Sequence, residues 1–255
     1  MRYRLRNRPT IVCCLTFLMI LGLAGSVWAD SVILQVVPPV VEISAFYHGR
    51  EVTITGSLPA GYQAVAEVMG PVGQEHLMRK GRRGPLWMNV GEVTVSGAPS
   101  LYMVLSSAAD LLTEASPWGF QSLKKNITLT GVPENEMGKF LGQFLELKKS
   151  EELYAVLPGG LKLTPAGNDR LEVTGTFRLP ANVKPEKYKV CLTAIRDGQA
   201  VEQQCVPLAV QMIGFPALLM SLAYEHALLY GILAVVIAIF TGFVMGYLFK
   251  GGGGH

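Results

Sequence analysis

Residues 188–212 read YKVCLTAIRDGQAVEQQCVPLAVQM, two apolar-rich runs on either side of Asp197-Gly198. Asp-Gly between such runs is a strong local signal for a two-residue hairpin turn, because both central residues of that turn take positive φ. Tyr188 to Ile195 is predicted as the first strand and Val201 to Met212 as the second. Cys191 and Cys205 stand almost symmetrically about the turn, as facing positions of a hairpin do. In an exported chain such a pair is expected as a disulfide. The alternative, a redox-active pair, lacks the Cys-x-x-Cys spacing.

The same strand grammar extends outward. Leu171 to Leu179 precedes Pro180 and Pro185. Near the start, Val32 to Val37 stops at Pro38-Pro39, and Val40 to Tyr47 stops at His48-Gly49. Val52, Ile54 and Gly56 alternate with Thr53 and Thr55, the pattern of a half-buried strand. Ala64 to Met69, Leu86 to Val90, Val93 to Ser96 and Leu101 to Ser106 follow, separated by glycine and proline. This spacing predicts a mainly β chain, a β-sandwich over 30–106 and 156–213. Residues 156–213 either complete that sandwich or form a second small β domain. Tyr188, entering a strand just after a turn, occupies the corner-tyrosine position of an immunoglobulin-like sandwich.

Between these blocks, 107–155 reads as a helical insertion. Met137, Phe140, Leu141, Phe144, Leu145 and Leu147 recur at helical spacing within Glu134 to Tyr154. Lys139, Glu146, Lys148 and Lys149 are assigned to the opposite face, and Pro133 to the first turn. A shorter helix is expected near Ala108 to Ala115.

The two ends set the compartment. The chain is 50% hydrophobic and 16% charged, against about 25% charged in soluble domains. Arg2, Arg4, Arg6 and Arg8 precede the apolar run Ile11 to Val27, and Val27-Trp28-Ala29 suits signal peptidase. Residues 1–29 are therefore expected as a cleaved signal peptide carrying away Cys13 and Cys14. A retained anchor is the alternative. Without those four arginines, 18 basic residues face 19 acidic ones, so nothing argues for nucleic-acid binding.

Ala227 to Phe249 is a run of 23 residues without a charge. As a helix it reaches about 34 Å, enough to cross a bilayer. Tyr224, Tyr230 and Tyr247 fall where aromatic side chains meet the interfaces. The signal puts 30–226 in the periplasm and the 250–255 tail in the cytoplasm, across the bacterial cytoplasmic membrane. Residues 214–226 form a juxtamembrane segment in which Phe215 to Tyr224 suits an interfacial helix. Ala238, Gly242 and Gly246 recur every fourth residue, which lets another helix approach closely. Glycine is also common in membrane helices for no such reason.

No catalytic constellation is legible. His48, His76, His226 and His255 do not pair at metal-ligand spacing, and no nucleophile elbow, P-loop or dinucleotide fingerprint is present. Glu134 and Glu136 suit a helix N-terminus rather than acid–base work. We expect no enzyme, metal or cofactor. The unusual cluster is Arg79, Lys80, Arg82 and Arg83, four cations among glycines ahead of Leu86-Trp87-Met88-Asn89. It reads as an adaptable loop for an anion, anionic headgroups or an acidic partner surface, or as an ordinary solvated loop. Trp87 is assigned to the core.

Several stretches together resemble a family of bacterial transmembrane proteins first described from alphaproteobacteria. They are Val41-Glu42-Ile43-Ser44-Ala45-Phe46-Tyr47-His48-Gly49, Val52 to Gly56, Met69-Gly70-Pro71 and Gly84-Pro85-Leu86-Trp87-Met88-Asn89. Ala98-Pro99-Ser100-Leu101-Tyr102, Leu179-Pro180-Ala181-Asn182-Val183 with Tyr188, and Leu229-Tyr230-Gly231 extend the likeness over most of the mature chain. Glu186-Lys187-Tyr188 departs from the Gly-x-Tyr expected there. The resemblance implies an exported domain on one C-terminal span, beside a polytopic permease similar to sulfite exporters. It carries no catalytic residue. The expected function is a non-enzymatic accessory or assembly subunit of such a small-anion permease, or of a self-association through the span. An anion-binding or sensing module is the alternative.

Overall fold

The computed structural model describes residues 31–113 and 116–249. The expected signal peptide, with Cys13 and Cys14, and the 250–255 tail lie outside the described residues. The first strands are β1 (Ile33–Val37), β2 (Val40–Ile43), β3 (Arg50–Pro59) and β4 (Gln63–Met69). Then come β5 (Val72–Arg83), β6 (Leu86–Pro99) and β7 (Tyr102–Ser106). The middle holds helix α1 (Phe120–Asn126), β8 (Thr128–Thr130), helix α2 (Met137–Ser150), β9 (Tyr154–Leu157) and β10 (Leu161–Gly167). The chain continues through β11 (Arg170–Leu179), β12 (Lys187–Arg196) and β13 (Gln199–Met212) to α3 (Gly214–Tyr224) and α4 (Ala227–Phe249).

Alternation decides which side each strand buries. In β3, Val52, Ile54 and Leu58 are buried, while Thr53 and Thr55 are half-buried on the other face. One sheet has the order β1-β3-β11-β10 and a second β2-β13-β12-β4-β7-β9, so early and late strands are hydrogen-bonded neighbours in both. β11 pairs with β3 from Arg170 opposite Pro59 to Leu179 opposite Arg50. All these pairings are antiparallel except β13 with β2 and β7 with β9. Ile54, Leu58 and Phe177 from the first sheet share one core with Leu105, Leu192 and Leu208 from the second. Each such side chain stabilises the fold by about 1.5–3 kcal/mol on burial. Gly56 marks a close approach: a Cβ there would lie 2.5 Å from the Ile33 carbonyl oxygen and 2.8 Å from Leu192 Cδ2.

The 188–212 hairpin forms as its sequence demands. Asp197 and Gly198 take φ of 52° and 76°, the positive values of a type I′ turn. Cys191 lies directly opposite Cys205, and the two are disulfide-bonded. Tyr188 is buried and its hydroxyl donates to the Lys184 carbonyl at 2.9 Å.

The helical middle packs on the β7–β9 edge of the six-stranded sheet. All five residues of β7 are buried, which requires cover on both faces. Tyr102 accepts the Gly119 N–H at 3.0 Å, beside buried Trp118 and Leu123. Tyr154 donates to the Pro99 carbonyl at 2.7 Å and stands edge-on to both Tyr102 and Phe144. The shorter predicted helix is a single 3-10 turn, Ala109–Leu112. The longer one opens with a 3-10 turn, Glu134–Glu136, before α2.

The disulfide closes a small loop, with a sequence separation of 14, which removes about 3 kcal/mol of chain entropy from the unfolded state. Cys191→Ser with Cys205→Ser should lower unfolding stability by about that amount. Denaturant titration of the full chain in detergent measures it, and reductant should affect only the parent.

Candidate functional site

The structure's most distinctive part is a two-stranded arm. β5 and β6 pair from Val72 opposite Pro99 to Arg83 opposite Leu86, closed by Gly84-Pro85. Gly84 has φ of 64°, so this glycine does serve a turn. The arm continues the β4–β7 ladder. Met69 faces Tyr102, Gly70 N–H donates to the Leu101 carbonyl at 2.9 Å, and Ser100 N–H donates to the Pro71 carbonyl at 2.9 Å. β4 and β13 both run antiparallel to β12, so they end at the same end of the sheet. There β4 passes into the arm and β13 passes, after Met212, into α3 and α4. At about 3.3 Å per residue, β5 adds roughly 40 Å of strand beyond that point.

Arg79, Lys80, Arg82 and Arg83 therefore belong to a strand, where a glycine-rich loop was expected. Two of the glycines serve the strand itself. A Cβ on Gly81 would sit 2.7 Å from Val90 Cγ2, so the missing side chain lets Val90 cross the pair. Gly91 faces Arg79 where the register shifts between Arg79 and Lys80, the mark of a bulge. Strand alternation also separates the cations. Arg79 is half-buried and lies 3.5 Å from Glu136, whereas Lys80 and Arg82 are exposed. Arg82 Nε donates to the Gly84 carbonyl at 3.0 Å. Trp87, opposite Arg82, is 74% exposed and so is not part of the core. Its neighbours Leu86 and Met88 are exposed as well.

Between the arm and α2 lies a cleft of about 760 Å³. Leu77, Val93, Leu129, Phe140 and Phe144 line it together with Arg79, Lys80, Lys139 and Glu136. Lys148 fixes the helix against the arm. It falls four residues after Phe144 and so shares the apolar face, not the outer face to which its charge had assigned it. Its side chain is 8% exposed, its Nζ lies 2.7 Å from Glu75 and 3.9 Å from Glu151, and the Phe144 ring centroid is 5.5 Å away. Sequence reading missed Glu75, Glu136 and Lys148 as a set. The available signal was a lysine interrupting an apolar stripe.

A second cavity, about 290 Å³, is lined by Glu67, Tyr102, Ser122 and Asn126 among others. Burial pushes the Glu67 carboxyl above its ordinary range, although the Tyr102 hydroxyl donates to it at 3.3 Å. Burial, then the nearby Glu67 charge, raises the Tyr102 phenol, which stays a proton donor. Among the described residues, no group of three or more His, Cys, Asp or Glu side chains is placed to hold a metal.

α4 is long and apolar enough to cross a membrane, and none of its residues is buried. Ala238, Gly242 and Gly246 recur along it at four-residue steps. The expected interfacial segment is α3, which exposes Phe215, Leu218 and Tyr224.

Removing Glu75 would leave the Lys148 ammonium buried with only the more distant Glu151. Glu75→Ala should cost about 3 kcal/mol and loosen α2. Hydrogen exchange over 137–150 and denaturant titration measure this. Adding Lys148→Met should recover most of the loss, because the uncompensated charge is then gone.

No curated protein matches this chain significantly. Residues 31–251 match the family described as "Putative transmembrane protein (Alph_Pro_TM)". That range takes in both sheets, the arm, the helical middle and the apolar C-terminal helix. A mainly β chain ending in one candidate span thus belongs to this family of transmembrane proteins.

Proposed function

We propose that the protein is a non-enzymatic accessory or assembly subunit of a membrane complex. A single span holds it in the bacterial cytoplasmic membrane, with the β domain in the periplasm and the C-terminus in the cytoplasm. Its partner is a polytopic membrane protein, such as a small-anion permease similar to sulfite exporters, or a second copy of this chain.

The observation that carries this reading is the surroundings of Gly242 and Gly246. A Cβ at either position would meet nothing within 4 Å. This chain's own packing does not call for glycine there, and glycine costs a helix interior about 1 kcal/mol relative to alanine. A second helix at close range supplies the missing reason, since small residues at this spacing let two backbones approach. Gly242→Leu with Gly246→Leu should release the partner during mild-detergent purification of the full chain, detected by mass spectrometry. Unchanged co-purification would remove this reading.

The cleft favours a second reading, capture of a small anion. Arg79, Lys80 and Lys139 line it, although Arg79 already engages Glu136. Calorimetric titration of the full chain with sulfite, sulfate, thiosulfate and phosphate tests it. Saturable heat lost in Lys80→Ala with Lys139→Ala supports capture, and flat traces for all four anions exclude it.

A further inference from the structure

We propose that the tip of the β-arm rests on the anionic lipid surface of the membrane that its own chain enters. This rests on the reading of α4 as a span. Three independent features point there. The first is position: the arm leaves the six-stranded sheet at the end where β13 gives way to α3 and α4. The second is charge: from Arg79 to Gly91 there are four cations and no acidic residue. Basic clusters beside a bilayer bind anionic headgroups.

The third feature is the apolar content of the tip. Leu86 and Trp87 are 63% and 74% exposed, directly across the arm from Arg83 and Arg82. Apolar side chains next to cations suit the headgroup–acyl boundary, and an indole ring with its N–H prefers that layer. α3 presents Phe215, Leu218 and Tyr224 beside the start of α4, a second apolar surface for the same layer.

The division of the cations favours lipid over a protein surface. Arg82 and Arg83, successive residues of β5 at the tip, point to opposite faces of the ribbon. A protein docked on one face would leave half the charges unused. Headgroups surround a tip from every side and engage both faces.

The test uses full-length protein in vesicles of equal parts phosphatidylcholine and phosphatidylglycerol, with Trp87→Phe as the reference that isolates the Trp87 signal. Flotation first establishes that the chain is in the bilayer. Lipid brominated near the headgroup end of its chains should quench Trp87, and aqueous iodide should not. Arg82→Ala and Arg83→Ala should weaken the contact by about fivefold for each cation removed. Pure phosphatidylcholine vesicles should show a comparable loss.

Trp87 open to iodide and untouched by brominated lipid overturns the proposal, as does Trp87 shielded from both. The last result would place protein, a partner or another copy, on the tip. Failure to float removes the span reading and the proposal with it, whereas flotation with an iodide-quenched Trp87 removes the proposal alone.

Discussion

Gly70 N–H donating to the Leu101 carbonyl, and Ser100 N–H to the Pro71 carbonyl, carry the β4–β7 ladder out of the sandwich and into the arm. The crossing tolerates no side chain at Gly70. A Cβ there would meet Ser100 Oγ, the Leu101 nitrogen at 2.9 Å and the Tyr188 ring at 2.9 Å. The crossing is tied to the β12 corner as well: Ser100 donates to Glu186 at 2.7 Å, and Tyr188 to Lys184 at 2.9 Å. The arm, the helix packed on it and the cleft between them inherit their position from these few bonds.

The buried polar groups of the helical middle act in the same direction. A buried lysine is tolerable only with a carboxylate at hydrogen-bonding distance, and Lys148 finds one in Glu75, near the base of the arm. Tyr154 ties the start of β9 to the end of β6 through the Pro99 carbonyl. Each of these contacts joins residues more than fifty positions apart in the chain. Such pairs orient the helical middle on the sheet, which apolar contact alone would leave free to slide.

How much was legible in the sequence followed from how local the signal was. The 188–212 hairpin announced itself because turn, apolar runs and cysteines all lie within 25 residues and agree. The C-terminal helix was legible because length and apolarity alone define it. The arm was not, and β5 went unread altogether. One face of β5 meets α2 and the other meets solvent, so Leu77 is its only half-buried apolar residue between Glu75 and Gly81. Gly81 and Gly91, read as breaks, serve a close side-chain approach and a bulge within long strands. Trp87 read as core because large aromatics usually bury, but a ribbon tip has no interior to receive it. Lys148 read as outer surface from its charge, although its spacing from Phe144 put it on the buried face.

The strand order β5-β6-β8 leaves β5 as an edge, since β8 covers only the β6 side. An uncovered strand of this length is a template on which a second chain can add a strand of its own. Arg79, Lys80, Arg82 and Arg83 all lie on that edge strand. Another arm approaching it antiparallel would bring four positive charges against four. The repulsion keeps the arms of crowded copies apart, so the cations that make the tip attractive to anions also guard a backbone that would otherwise aggregate.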